Sequence, residues 1–136
     1  MKIFRLRFAA LLAALFVASL PWPGPIATTA HAAELIMLEE DGCPWCKRWN
    51  KEIGVVYHKT GEGRRAPLRR INIHAPLPSD LKFLVKGRYT PTFVLIEEKR
   101  EIGRIRGYPG EGFFWGLLNQ MLKKLPPRKQ AARTTN

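Results

Sequence analysis

Residues 34–50 read Glu34-Leu35-Ile36-Met37-Leu38-Glu39-Glu40-Asp41-Gly42-Cys43-Pro44-Trp45-Cys46-Lys47-Arg48-Trp49-Asn50, and the period of the apolar residues changes in the middle of them. Glu34 to Glu40 is a short apolar run that ends in acids and stops at Asp41-Gly42, which is the length and punctuation of a buried strand. From Cys43 the period becomes helical: Cys46, Trp49, Asn50 and Ile53 fall at i, i+3, i+4 and i+7, while Lys47, Arg48 and Lys51 take the other face. This predicts a helix opened by Pro44 in its first turn and closed by Gly54. A strand runs into a helix, and two cysteines spaced C-x-x-C occupy the junction.

That junction suits sulfur chemistry. The first sulfur lies at a helix amino terminus, where unpaired backbone N–H groups and the helix dipole favour a thiolate and lower the pKa of Cys43. Cys46, one turn in on the apolar face, is expected to be more buried and protonated, poised to attack a mixed disulfide formed at Cys43. Two other uses of the pair stand beside redox catalysis. Zinc would need two further ligands, and His58 and His74 are too far apart in sequence for a metal-binding histidine pair. A purely structural disulfide closing so short a loop would restrict the unfolded chain little. The two histidines are expected in surface or capping roles, and neither a metal nor any other cofactor is expected.

Upstream, Lys2, Arg5 and Arg7 precede the uncharged apolar run Phe8–Leu20, a Pro/Gly segment and Ala30-His31-Ala32. The run has 13 residues, short of the roughly 20 that span a membrane, and small residues stand where a signal peptidase reads the chain. Residues 1–32 are therefore expected to be an export signal cleaved after Ala32; the alternative is an uncleaved anchor kinked at Pro21. Without them the 136-residue chain of net charge +12 becomes 104 residues at +9, because three basic residues and no acid are lost. That length holds one small domain, expected over residues 33–125 and monomeric. In an exported chain the basic excess points to acidic partners or anionic surfaces rather than to nucleic acid. A solvated basic surface with no single partner is the other reading, since the charges are scattered.

Downstream, residues 59–66 (KTGEGRRA) read as a polar loop and residues 67–74 as a second strand in which Leu68 is out of step with Ile71 and Ile73. Ser79-Asp80 can cap a short helix carrying Leu81, Leu84 and Val85 and ended by Gly87. Tyr89-Thr90-Pro91-Thr92 leads into a central strand, Phe93 to Ile96. Arg100 to Arg106 is its expected antiparallel edge partner, in which Ile102 and Ile105 face opposite sides unless Gly103 introduces a bulge. Phe113, Phe114, Leu117, Leu118, Met121 and Leu125 mark an amphipathic last helix, Glu111 to Leu125, stopped by Pro126-Pro127. Residues 126–136 are expected to be a disordered basic tail. The predicted order is βαβαββα, an α/β fold with a central mixed four-stranded sheet flanked by helices.

The strand before CPWC, the helix behind it and the Thr90-Pro91 step resemble the thioredoxin superfamily in its smaller, glutaredoxin-like arrangement, over about residues 34–125. The resemblance implies a cis Pro91 beside the CxxC, with the backbone of Thr90 serving as a docking edge for an extended partner segment. Together with Pro44 and an exposed Trp45, these residues would form the docking surface. More narrowly, CPWCKRWNKEIG, APLRRINIHAPLP and YTPTFVLIEEKREIGRIRGYPGEGFFWGLL are similar to the SoxS-type periplasmic thioredoxins of bacterial sulfur-oxidation (Sox) systems. This implies a periplasmic thiol-disulfide oxidoreductase, with Cys43 as nucleophile and Cys46 as resolving thiol. Its substrate would be a cysteine-bearing Sox component such as the sulfur-carrier protein, its electron donor a membrane thiol transporter, and no membrane insertion would persist after cleavage. The rival readings are an oxidant that introduces disulfides, a thiol reductase for apocytochrome c and, from another class, a binding module that uses the fold without turnover. Where thioredoxin has a buried acid six positions before the first cysteine, this chain has Met37. The proton of Cys46 is then expected to pass to water, or to Glu39 or Glu40 through water.

Overall fold

The computed structural model describes residues 33–127. Both the expected export signal and residues 128–136 of the expected tail lie outside them. Strand β1 (Glu34–Glu39) is followed by helix α1 (Pro44–Trp49), which continues through a π-helical turn (Asn50–Gly54) into α2 (Val55–Tyr57). Helix α3 (Gly61–Arg65), β2 (Leu68–Asn72), a 3-10 turn (Ser79–Leu81), β3 (Thr92–Glu97), β4 (Arg100–Arg106) and α4 (Glu111–Leu122) complete the order.

The four strands form one mixed sheet in the order β2-β1-β3-β4, with β1 parallel to β2 and antiparallel to β3, and β4 antiparallel to β3 at the edge. The expected fold class is the observed one. Alternation along β1 divides its side chains between two cores. Leu35 and Met37 face the helices, joining Cys46, Trp49, Tyr57, Phe93 and Phe114, whereas Ile36 and Leu38 face Ile71, Leu81, Leu84 and Val94 on the other side. Rings cluster on the helix side, with Trp49 5.1 Å from Phe93 and 5.7 Å from Phe114 between centroids. This packing locks the inner face of α1, and with it the base of the CPWC segment, against the sheet.

Four local expectations need correction or completion. Gly54 does not close the first helix. Its backbone stays right-handed helical, and the apolar stripe Trp49, Ile53 and Tyr57 carries the helix on to His58. The segment read as polar loop contains α3, because Thr60 caps it: its Oγ1 accepts from Gly63 N–H at 2.9 Å and donates to the Tyr57 carbonyl at 2.8 Å. Conversely, the helix expected after Ser79-Asp80 is a single 3-10 turn. Leu81 and Leu84 reach the core, Val85 is exposed, and neither Ser79 nor Asp80 caps, the preceding position being Pro78. The last helix ends at Leu122, and Phe113 and Leu117 lie outside its buried face.

Two irregularities of pattern have structural causes. Leu68 and Ile71 point to opposite faces of β2, and each face meets one of the two cores. In β4 the register slips between Leu95↔Gly103 and Ile96↔Glu101, a bulge that turns both Ile102 and Ile105 toward the helix-side core. The β3–β4 connection is two residues, Glu98 and Lys99, both at positive φ as a type I′ hairpin turn requires.

Candidate active site

Asp41-Gly42 turns the chain out of β1, with Gly42 at φ +79, a conformation few side chains accept. Cys43 then takes extended backbone angles (φ −61, ψ 113) as the residue capping α1, and Pro44 follows at the first helical position. The Cys43 sulfur takes the place of a capping oxygen, accepting a hydrogen bond from the backbone N–H of Cys46 at 3.0 Å. No acid stands in the first turn to oppose negative charge there. Cys43 and Cys46 are joined in a disulfide, with Cα atoms 5.3 Å apart and exposures of 6% and 3%. Cys46 is the deeper of the two by a small margin.

The expected docking residues gather at this end of the sheet. The register Leu38↔Thr92 brings the chain just before β3 alongside Glu39 and Glu40, so Thr90 and Pro91 flank the strand end from which the CPWC loop departs. The Thr90–Pro91 peptide is cis, and the buried Pro91 accepts at its carbonyl a 2.7 Å hydrogen bond from Gly107 N–H. Thr90 is held from its side chain, whose hydroxyl donates to Glu40 Oε1, while Glu40 Oε2 lies 2.9 Å from His74 Nε2. The Thr90 hydroxyl, and after it His74, hold the Glu40 carboxyl below the usual carboxylate range. Pro44 opens the helix and Trp45 beside it is 51% exposed, the outward placement expected of it.

Beneath Trp45 lies a cluster that the sequence does not announce. The Arg48 guanidinium sits 5.9 Å from the Trp45 ring centre and 5.8 Å from that of Tyr108, and Arg48 Nε donates to Glu52 Oε1 at 2.9 Å. Tyr108 donates its phenol to the other oxygen of Glu52 at 2.6 Å. That bond, and then Arg48, lower the Glu52 carboxyl, while burial first and Glu52 second push the Tyr108 phenol up. An Arg48–Glu52 pair at i,i+4 is visible in the sequence; that Tyr108, 56 residues on, closes over it is not.

On the opposite side of α1 a cleft of about 300 Å³ opens onto both cysteines. Its walls include Glu39, Asn50 and Arg70. Arg70 lies across from Met37 in the β1–β2 register, and its guanidinium reaches Glu39 Oε2 (2.7 Å), Asn50 Oδ1 (2.7 Å) and the Met37 sulfur (3.5 Å) while lying 5.6 Å from the Trp49 ring centre. Met37 itself is fully buried at the position where thioredoxin carries its acid. Among the described residues no three His, Cys, Asp or Glu side chains come together as metal ligands.

A CxxC disulfide at the start of a helix, on a mixed four-stranded sheet with a cis-proline loop beside it, defines a thioredoxin-fold thiol-disulfide oxidoreductase. The structure is similar to that of the periplasmic thioredoxin SoxS from Paracoccus pantotrophus in its reduced form, at 43% sequence identity over 68% of this chain and 97% of that one, with a TM-score of 0.65. A thioredoxin from Malassezia sympodialis shares the fold at 21% identity, over 68% of this chain and 77% of that one, with a TM-score of 0.51. No protein-family model and no curated protein matches the chain. By its identity and coverage with the Paracoccus protein, the chain belongs to the thioredoxin superfamily as a SoxS-type thioredoxin.

Proposed function

We propose that this chain is an exported reductase that acts in the periplasm on a cysteine-bearing protein of a sulfur-oxidation system, the sulfur-carrier protein being the leading candidate. The observation that carries the reading is the CPWC disulfide at the amino end of α1, with the Cys43 sulfur receiving the Cys46 N–H. A sulfur so placed is stabilised as a thiolate by the same N–H and the helix dipole once the disulfide is reduced. Similarity to a periplasmic thioredoxin and the signal-like residues 1–32 support the location.

In the mechanism, the Cys43 thiolate attacks a disulfide or persulfide of the partner. One sulfur leaves as a thiol, or as hydrogen sulfide from a persulfide, and a mixed disulfide joins Cys43 to the partner. Cys46 loses its proton, attacks the Cys43 sulfur, and the partner's thiolate departs and is protonated. The partner gains two electrons and the Cys43–Cys46 disulfide forms. A membrane thiol transporter then returns two electrons to the pair. During attack the partner segment lies along Thr90, whose hydroxyl is tied to Glu40, and Trp45 supplies apolar contact.

The Cys46→Ser protein should accumulate a mixed disulfide through Cys43 while Cys43→Ser does not; equal trapping by both would overturn the roles. Identifying the trapped partner in the host tests the substrate. A CxxC potential near that of thioredoxin, about −270 mV, fits a reductant, whereas one near about −120 mV would make the protein an oxidant.

A further inference from the structure

Resting on Cys46 as resolving thiol, we propose that Glu39, clamped by Arg70 and Asn50, accepts the Cys46 proton through water in the cleft behind α1. The need for an acceptor is chemical. Cys46 is almost fully buried, a thiolate is the nucleophile in disulfide exchange, and a buried thiol in apolar surroundings holds its proton. Met37, which faces α1 in the same core as Cys46, has no group that can take it.

Strand alternation supplies the substitute. Leu35, Met37 and Glu39 point to the same face of β1, so Glu39 stands one step farther along that face, toward the end from which the CPWC loop leaves. It lines the same cleft as the two cysteines. The cleft's volume of about 300 Å³ admits several waters, each occupying about 30 Å³ in the liquid.

The clamp fixes the carboxylate's position. Arg70 takes Glu39 Oε2 with one nitrogen and Asn50 Oδ1 with the other, and Asn50 lies one helical turn past Cys46. The guanidinium thereby bridges the strand and the helical turn that follows the thiol. Among the described residues Glu39 Oε1 has no protein partner, so one oxygen stays open to water. The other charged groups around the cleft are Lys47 from α1 and Glu40 and Asp41 from the strand end. Glu40 is on the alternate face and already holds Thr90 and His74; Asp41 lies in the exposed turn beyond the strand.

The step balances without an added reagent. Water passes the Cys46 proton to Glu39, leaving a thiolate and a neutral carboxyl. The thiolate forms the bond to the Cys43 sulfur and the partner thiolate leaves, and Glu39 releases the proton through the open cleft. Arg70 and Asn50 are positioning residues.

The two steps separate cleanly when the reduced full-length protein meets one equivalent of dithiobis(nitrobenzoate). The first thionitrobenzoate released reports attack by Cys43, and the second reports attack by Cys46 on the resulting mixed disulfide. In Glu39→Gln the first release should stay within about twofold of wild type, while the second slows about 10- to 100-fold near pH 7 and then rises about tenfold per pH unit, as when hydroxide replaces a general base. Glu39→Asp should recover part of the rate, and formate should accelerate the second release of Glu39→Gln in proportion to its concentration. The proposal is overturned if Glu39→Gln keeps the wild-type second release and pH profile, if both releases slow together, or if Asp41→Asn or Glu40→Gln shows the selective loss instead. Absence of the first release in Cys46→Ser would instead overturn the assignment of Cys43 as nucleophile, on which the proposal rests.

Discussion

Replacing Gly63 by alanine should destabilise the domain strongly, although the same change in an open helix stabilises. A Cβ at Gly63 would lie 2.8 Å from the carbonyl carbon of Tyr57 and closer still to its oxygen, and 3.2 Å from His58 Cα. These are backbone atoms, so no side chain can swing aside and α3 must move off the end of α2. Helix propensity and the restricted unfolded chain favour alanine by about 1 kcal/mol. Against this, overpacking costs about 1–3 kcal/mol. Displacing α3 also weakens the Thr60 cap and the 2.7 Å hydrogen bond from the Tyr57 phenol to the Ala66 carbonyl, each worth about 1 kcal/mol. The net expectation is a loss of about 2–3 kcal/mol, or a melting temperature lower by roughly 10–20 °C for a domain of this size. Gly116 is the control, mid-helix in α4, where an added methyl would meet nothing within 4 Å; Gly116→Ala should add about 1 kcal/mol. Guanidinium unfolding followed by tryptophan fluorescence reads both, with an unchanged m-value confirming that the midpoint shift is one of stability. The reasoning is refuted if Gly63→Ala is as stable as wild type, or if the two variants shift in the same direction.

Three further outcomes are expected. Glu40, Glu52, Asp80 and Glu101 are lowered chiefly by hydrogen bonds from Thr90, Tyr108, Arg69 and Arg104 respectively. Their contribution to stability is fully present above the unfolded values of 4.5 for Glu and 3.8 for Asp and is lost as pH falls through the folded ones, so the urea midpoint should decline below that range; a midpoint flat down to about pH 3 contradicts this. Burial raises the phenols of Tyr57 and Tyr108 above 10.0, so stability should fall as pH rises past that value, and their tyrosinate absorbance should appear only with unfolding. Trp45→Ala should lower kcat/KM for a protein partner by about tenfold or more, as loss of an aromatic contact at an interface does, and leave the reaction with dithiobis(nitrobenzoate) nearly unchanged. Equal losses toward both substrates would mean that Trp45 supports the disulfide rather than the docking.

Much of this molecule is written locally. The strand before Cys43, the helix after it and the C-x-x-C spacing are readable because each depends on residues within one or two turns of one another. The expectations that failed are local as well. Thr60 caps α3 although Gly61 and Gly63 disguise a helix as a loop, and Gly63 is there because Tyr57 passes so close that no side chain fits. Gly54 has the look of a stop signal, yet Trp49, Ile53 and Tyr57 bury one continuous stripe and the gain from that burial outweighs the weak preference of a single glycine to end a helix.

The sequence by itself determined the redox pair, its place at a helix start, the fold class and the absence of an acid at Met37, since periodicity, capping and spacing are short-range properties. Only the tertiary structure decided which groups surround that pair. The β1–β2 register sets Arg70 across from Met37, and strand alternation sets Glu39 beside them. The β1–β3 register brings Thr90 to Glu40, and Tyr108 reaches Glu52 across 56 residues of chain. Such pairings follow from how strands align and helices pack against them, and no local window of the sequence contains that alignment.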